Sequence, residues 1–258
     1  MLRRGREIYR EYLRERLLSP VRCGLGLLRS NPHDVHPLAW EYKFRLRRLG
    51  SRLRWRAVAD PFKTVRVSPD EIDRYTDAFG KWESVGLISA GDWDRRAEPI
   101  EEFPKYRGCV DRFVHGLAWE ETDVIPYVLD RIEEEGRWDG CTTPEEVYDR
   151  YEAMDELYHS IRENGFVSPV DVRPERHEDK RFFDYVAVHV GRDGELIFGL
   201  SGCHRLSIAK LLDDVEEIPV WIRGRHAGWQ RTREAVAGRD SVEGPLRSHP
   251  DLQDLIGR

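Results

Sequence analysis

The sequence predicts an α+β fold: a small mixed sheet with packed helices, extended by an N-terminal helical segment and a tryptophan-rich insertion. Three observations carry this expectation. Ser68-Pro69-Asp70-Glu71 and Thr143-Pro144-Glu145-Glu146 have the form of helix starts. In each, a hydroxyl at the N-cap can accept from the first turn while a Glu three residues on reaches back. Beyond Gly165 the apolar pattern changes from helical to alternating, as in Tyr185 to Val190 and Glu195 to Leu200. Between those two runs Arg192-Asp193-Gly194 reads as a hairpin turn, because Asp-Gly supplies the positive φ of tight turns.

In chain order, residues 2–18 read as an amphipathic helix with Ile8, Tyr12 and Leu13 on one face. Residues 38–55 return to a helical, basic pattern in which Leu38, Tyr42, Leu46 and Leu49 repeat. Thr64–Val67 is a short strand. Residues 80–125 are weakly periodic and read as irregular structure with short strands, followed by a helix over Pro126–Glu135. The helix after Thr143 extends to about Asn164, with Val147, Tyr151, Met154, Leu157, Tyr158 and Ile161 on one face. Gly165 ends it. Val167–Val172 is strand-like, residues 203–213 form a short helix, Ile218–Ile222 a last strand and residues 226–237 a last helix, before a loosely ordered tail. These elements divide the chain into a basic segment (1–60), a domain (61–235) with a long insertion at about 76–147, and a tail (236–258).

The chain has 258 residues, 40% hydrophobic and 35% charged, with eight Trp. That is enough apolar and aromatic surface for a buried core, and it excludes a disordered chain. The net charge of −6 hides an asymmetry: residues 1–56 hold 15 Lys and Arg against 5 Asp and Glu, a net +10, so the remainder carries −16. The four cysteines, Cys23, Cys109, Cys141 and Cys203, form no C-x-x-C pair, so neither a zinc site nor a disulfide framework is expected. Leu17 to Leu28 is interrupted by Pro20, Arg22 and two glycines and is too short to cross a bilayer. The N-terminus lacks the apolar core of a signal peptide, so a cytoplasmic protein with reduced thiols is expected.

The informative constellation is strand, Ser201-Gly202-Cys203-His204-Arg205, helix, strand. It places a glycine and a helix N-terminus at the end of a strand. The first turn of a helix has unpaired N–H groups and partial positive charge, and Gly202 lets an anion approach them. His204 and Arg205 add side-chain donors, and Arg matches phosphate oxygens in a bidentate fork. Phosphate binding by Ser201, Gly202, His204 and Arg205 is the expectation. The alternative is a tight turn at Gly202 with His204 and Arg205 capping and solvating the helix.

Three segments resemble the ParB/sulfiredoxin-like superfamily, which includes the ParB-like nuclease domain. They are Thr64 to Ile72, Ser160 to Val172, and Gly202-x-His204-Arg205 followed by Ile208-Ala209-Lys210-Leu211 and Ile218-Pro219-Val220. Together they cover less than half of the chain. The Gly91-Asp92-Trp93-Asp94 segment is similar to one in an archaeal and bacterial branch of ParB-like proteins. The resemblance implies nucleotide binding, with ATP or CTP and Mg²⁺ as cofactors, and phosphoryl transfer or nucleotide hydrolysis as the activity. Gly202-Cys203-His204-Arg205 also matches the sulfiredoxin signature, which implies Cys203 as a catalytic nucleophile; a small residue filling a tight turn is the other reading. Partition-type ParB proteins have Glu-Arg-Arg where this chain has Cys-His-Arg, and they continue into a DNA-binding domain.

Asp92 and Asp94 flank Trp93 and are candidates for binding Mg²⁺ or acting on a substrate hydroxyl; otherwise the tryptophans are core residues and the acids solvated. Arg225 and His226 follow the last strand and are candidates for closing over a nucleotide, or simply cap the last helix. Arginines interleaved with Trp and Tyr over residues 1–56 suit nucleic acid or an anionic surface. A non-enzymatic DNA-binding module is therefore the competing class.

Overall fold

The computed structural model describes residues 37–80, 82–167, 185–239 and 241–256. The helix expected over 2–18 and nearly all of the strand expected over 167–172 lie outside them. Among the described residues the helices are α1 (Pro37–Arg52), α2 (Pro104–Phe113), α3 (Val124–Glu135), α4 (Pro144–Asn164), α5 (Cys203–Leu211), α6 (Ala227–Ala237), α7 (Pro245–Ser248) and α8 (Gln253–Ile256). The strands are β1 (Thr64–Val67), β2 (Arg74–Tyr75), β3 (Leu87–Ser89), β4 (Glu98–Pro99), β5 (Val186–Val190), β6 (Leu196–Phe198) and β7 (Ile218–His226). All seven strands form one mixed sheet in the order β1-β7-β5-β6-β2-β4, with β3 also beside β7. The α+β class is thus observed. None of the described helices is long and apolar enough to cross a membrane.

Strand β7 organises the sheet. Its first half pairs antiparallel with β1 and its second half parallel with β3, while its other edge runs parallel to β5. Alternation sorts the side chains. Val186, Val188 and Val190 join Val220, Ile222, Leu206 and Ala209 in the main core. The opposite face holds Trp221 with Phe44, Trp82 and Val85, and Ile197 with Trp93 and Ala97. A third cluster, Cys109, Trp119, Val124, Val128, Val147 and Tyr151, binds α2, α3 and α4 together.

Both expected caps form, but Thr143 opens a long helix whereas Ser68 opens only the single 3₁₀ turn Pro69–Glu71. Ser68 and Glu71 form the expected capping box, and Thr143 accepts from the Glu146 N–H. The Glu146 carboxylate reaches one residue further back, to the N–H and hydroxyl of Thr142. Two expectations are corrected, and the helix expected over 38–55 forms but buries a face other than its regular repeat. The stretch expected to be irregular contains α2, hidden in the sequence by Gly108. That glycine is needed because a Cβ there would lie 2.6 Å from Val124, where α2 and α3 cross. The repeat Tyr42, Leu46 and Leu49 of α1 is exposed, and the helix instead buries Phe44 against Trp82 and Trp221. The tail is not loosely ordered, because Asp251 and Leu252 are fully buried.

Asp251 explains that order. Arg225 donates to both its oxygens (Nε 2.9 Å, Nη2 2.6 Å), and Trp229 Nε1 donates at 2.9 Å. Arg233 lies 3.2 Å and Lys63 3.4 Å from the same carboxylate. One buried anion thereby joins β7, α6, the C-terminal turn and the loop before β1. Residues 56–57 are tied in the same direction, their N–H groups donating to Glu234.

Burial alone would raise the Asp251 pKa, but Arg225, Arg233 and Lys63 hold it well below the usual carboxylate range. A depressed carboxylate contributes stability above its unfolded value of about 4 and loses it as pH falls further. Asp251→Asn keeps the shape and leaves two arginines buried without their shared anion. It should cost about 3–5 kcal/mol in denaturant unfolding at pH 7, the range for breaking a buried pair. The difference from the parent should shrink below about pH 4.

Candidate functional site

Helix α5 begins at a loop with two left-handed residues, Leu200 (φ 60°) and Gly202 (φ 76°). A side chain at 202 is excluded twice, by that φ and because a Cβ would lie 2.9 Å from the Val186 backbone. Ser201 is buried, and its carbonyl accepts from Ala187 at 3.0 Å. The loop is therefore pinned to β5, and α5 starts with no side chain capping its first turn. Cys203 and His204, the first two helical residues, are buried.

What covers them is the helical insertion. Lys105 of α2, only 5% exposed, pairs with Asp139. Asp139 (φ 53°) and Gly140 (φ 91°) form a tight Asp-Gly turn, closed by reciprocal bonds between Trp138 and Cys141. The Lys105 ammonium lies over the Trp138 ring at 5.5 Å. The fully buried Tyr151 ring meets the His204 ring edge-on, with centroids 5.5 Å apart. Arg150 is close enough to act on Asp139, Cys203 and His204.

Four polar atoms of this cluster are buried without a partner: Tyr151 Oη, His204 Nε2, Arg150 Nε and Trp138 Nε1. All are donors if the His204 proton sits on Nε2. The neighbouring contact supports that tautomer, because Cys203 Sγ is 3.7 Å from Nδ1 and a thiol can donate to it. Burial pushes the Cys203 thiol up, against the pull of Lys105 and Arg150, so the group is a thiol at neutral pH. Burial pushes Asp139 up as well, but Lys105, together with His204 and Arg150, more than offsets this and keeps it ionised. The cluster thus holds two cations, one carboxylate and a helix N-terminus, a net positive centre lined with unsatisfied donors.

The other expected site residues have different surroundings. The Arg205 guanidinium bonds the Val167 carbonyl and lies 4.8 Å over the Phe166 ring, joining α5 to the exit from α4. Asp94 is fully buried and accepts from Arg192 through its backbone N (2.9 Å), Nε (2.7 Å) and Nη2 (2.7 Å). Asp92 accepts from the same Nη2 at 2.8 Å. These acids clamp the β5–β6 turn, and Trp93 packs among Phe79, His189 and His226. Among the described residues no group of three or more His, Cys, Asp or Glu could hold a metal ion. Arg225 is engaged by Asp251, and His226 caps α6, accepting from Gly228 at 2.9 Å and contacting the Gly91 carbonyl at 2.9 Å.

Of the residues gathered here, Cys203 and His204 stood out in the sequence, whereas Lys105, Asp139 and Arg150 did not, and Tyr151 did so only as part of an apolar face. Asp139-Gly140 carried the same turn signal as Asp193-Gly194. Tyr151 was legible as a core position but not as a hydroxyl facing polar groups.

Burial lowers His204 to about 3, with Lys105 adding to the effect, and lowers His189, on the opposite sheet face, to about 3. A histidine whose folded value is lowered contributes stability above its unfolded value of about 6.5, lost as pH falls towards the folded one. Unfolding free energy should fall by about 1.4 kcal/mol per pH unit per histidine between pH 6 and 5. His204→Gln should remove one such increment from the slope; an unchanged slope would contradict the buried neutral imidazole. No family model matches the chain, and no curated protein or solved structure matches it either.

Proposed function

We propose that the protein binds the phosphates of a nucleotide at the N-terminus of α5, between the Gly202–Arg205 turn and the insertion residues Lys105, Arg150 and Tyr151. The observation that carries this reading is the set of four unpartnered buried polar atoms around a net positive centre. Buried donors without acceptors are costly, so an acceptor-rich anion is their natural complement. Gly202, Cys203, His204 and Arg205 contribute through the backbone of the first turn, where the helix field favours negative charge. ATP or CTP fits such a site, with Mg²⁺ carried on the phosphates.

Lys105, Arg150 and the helix N-terminus are suited to stabilising charge on a phosphoryl group in transfer, which is chiefly an electrostatic task. Nucleotide hydrolysis is accordingly the activity to assay. The buried thiol of Cys203 is poorly suited to nucleophilic attack, so its part is to orient His204. Three of the cations of α1 are engaged within the protein, which disfavours a nucleic-acid face at those positions. Arg45 is bonded to Glu41, Arg48 to Asp60, and Arg47 to the carbonyls of Glu83 and Val85.

A thermal-shift panel of ATP, ADP, CTP, GTP and pyrophosphate with Mg²⁺ tests the proposal, since a ligand of the native state raises Tm. At least one should do so saturably. Arg150→Met should weaken that ligand roughly ten- to a hundredfold, the range for bonds to charged groups. Tyr151→Phe should weaken it while leaving the unliganded protein as stable as before, because it deletes an unsatisfied hydroxyl. Cys203→Ser should change affinity only a few-fold. No shift with any of the five, or unchanged affinity in both Arg150→Met and Tyr151→Phe, would overturn the assignment.

A further inference from the structure

On the sheet face opposite α5, β7 carries a second buried cation. Between Val188 and His189 the register with β7 shifts: Val188 faces Ile222, His189 faces Gly224, and Arg223 is the extra residue. A bulge of this kind re-aims a side chain, here into the interior, where Arg223 is 0% exposed. Its guanidinium lies 4.9 Å from the Trp221 ring centre and 5.3 Å from that of Trp82. Nη1 reaches the Gly199 carbonyl at a long 3.4 Å, while Nε and Nη2 have no partner. The other fully buried arginine, Arg233, has Asp251 and Asp254; among the described residues no carboxylate pairs with Arg223.

His189 lies next to it with Nδ1 unpartnered, and Trp93, packed on that imidazole, has Nε1 unpartnered. Two glycines make room for the ring: a Cβ at 199 would lie 2.6 Å from His189 Nε2, and one at 224 would lie 3.0 Å from Nδ1. His189 is neutral, so Arg223 leaves this interior with one uncompensated positive charge. Aromatic faces attract a guanidinium, but they do not accept its N–H bonds along their edges.

We propose that Arg223, with His189 and Trp93, forms a second anion site, which takes a small monovalent inorganic anion of the halide or nitrate class. Monovalency follows from burial beside a single cation, whereas Lys105, Arg150 and a helix N-terminus can offset a higher charge at the start of α5. Trp221 and Arg223 are 0%, Ser84 1% and His189 2% exposed, so an anion must shed its water to sit here. Shedding water costs far more for a doubly charged anion than for a singly charged one. A single positive charge, with neutral donors beside it, matches one negative charge.

The test is Tm of the full chain titrated with sodium chloride, bromide or nitrate against sodium gluconate at equal ionic strength. The small anions should raise Tm saturably, by roughly 5–10 °C at a hundred times their dissociation constant, and gluconate should not. The rise should persist in Tyr151→Phe, which touches the α5 site only, and vanish in Arg223→Met. Equal titrations with chloride and gluconate, or a rise that survives Arg223→Met, would overturn the proposal. If Arg223→Met does not fold, chloride-35 line broadening on the double variant Arg150→Met, Tyr151→Phe, measured with saturating pyrophosphate to fill what remains of the α5 site, decides. Excess broadening displaced by nitrate supports the site, and none overturns it.

Discussion

The architecture depends on a carboxylate that cannot reach water. Asp251 is fully buried and is surrounded by Arg225, Arg233, Lys63 and the indole of Trp229. An interior charge is tolerable only when paired and fully hydrogen-bonded, so each donor must be in place for the others to be stable. Those donors come from β7, α6 and the segment before β1. A turn near the C-terminal end of the chain thereby orders the edge of the sheet and one helix at once. Arg233 extends the arrangement by bonding the Ala57 carbonyl at 3.2 Å and Asp254 at 2.7 Å.

Against that satisfied cluster, two other polar interiors are incomplete in the same sense. At the start of α5 the excess is of donors and positive charge from Lys105 and Arg150; across the sheet it is the guanidinium of Arg223. In both places the scaffold is rigid: Gly202 is pressed on the Val186 backbone, and Gly199 and Gly224 are pressed on the His189 ring. Rigid surroundings cannot relax to satisfy the orphaned atoms, which separates these two places from a surface arginine that finds water.

Local chemistry was the legible part of the sequence. Capping residues, the Asp-Gly turn and the alternation of β5, β6 and β7 depend on neighbours in the chain, and they appear where the sequence places them. Three kinds of information were not local. Gly108 looked like a helix breaker because its reason lies in Val124 of another helix. Tyr42, Leu46 and Leu49 formed the more obvious stripe on α1, yet contact with Trp82 and Trp221 selected Phe44. Gly202, Cys203 and His204, singled out in the sequence for their turn and helix start, do lie together at the start of α5. The side chains that cover them were not legible, because Lys105, Asp139 and Tyr151 are brought there only by the packing of α2 and α4. Asp94 is the converse case: an acid that resembled a metal ligand is matched to Arg192 by the β5–β6 turn.

Strand β7 also sets an order of events. It lies late in the sequence, yet β1 and β3, both before residue 90, have no other strand partner among the described residues. Their edges can pair only after residues 218–226 have been made, so during synthesis two short strands wait with open hydrogen-bonding groups. Waiting edges invite association with other chains, and charged side chains on or beside them discourage it. Lys63 and Arg66 flank and interrupt β1, and both meet their carboxylates, Asp254 and Glu217, only in the finished sheet. The same two cations that keep a nascent strand solitary later tie it to Glu217 and Asp254, residues made long after it.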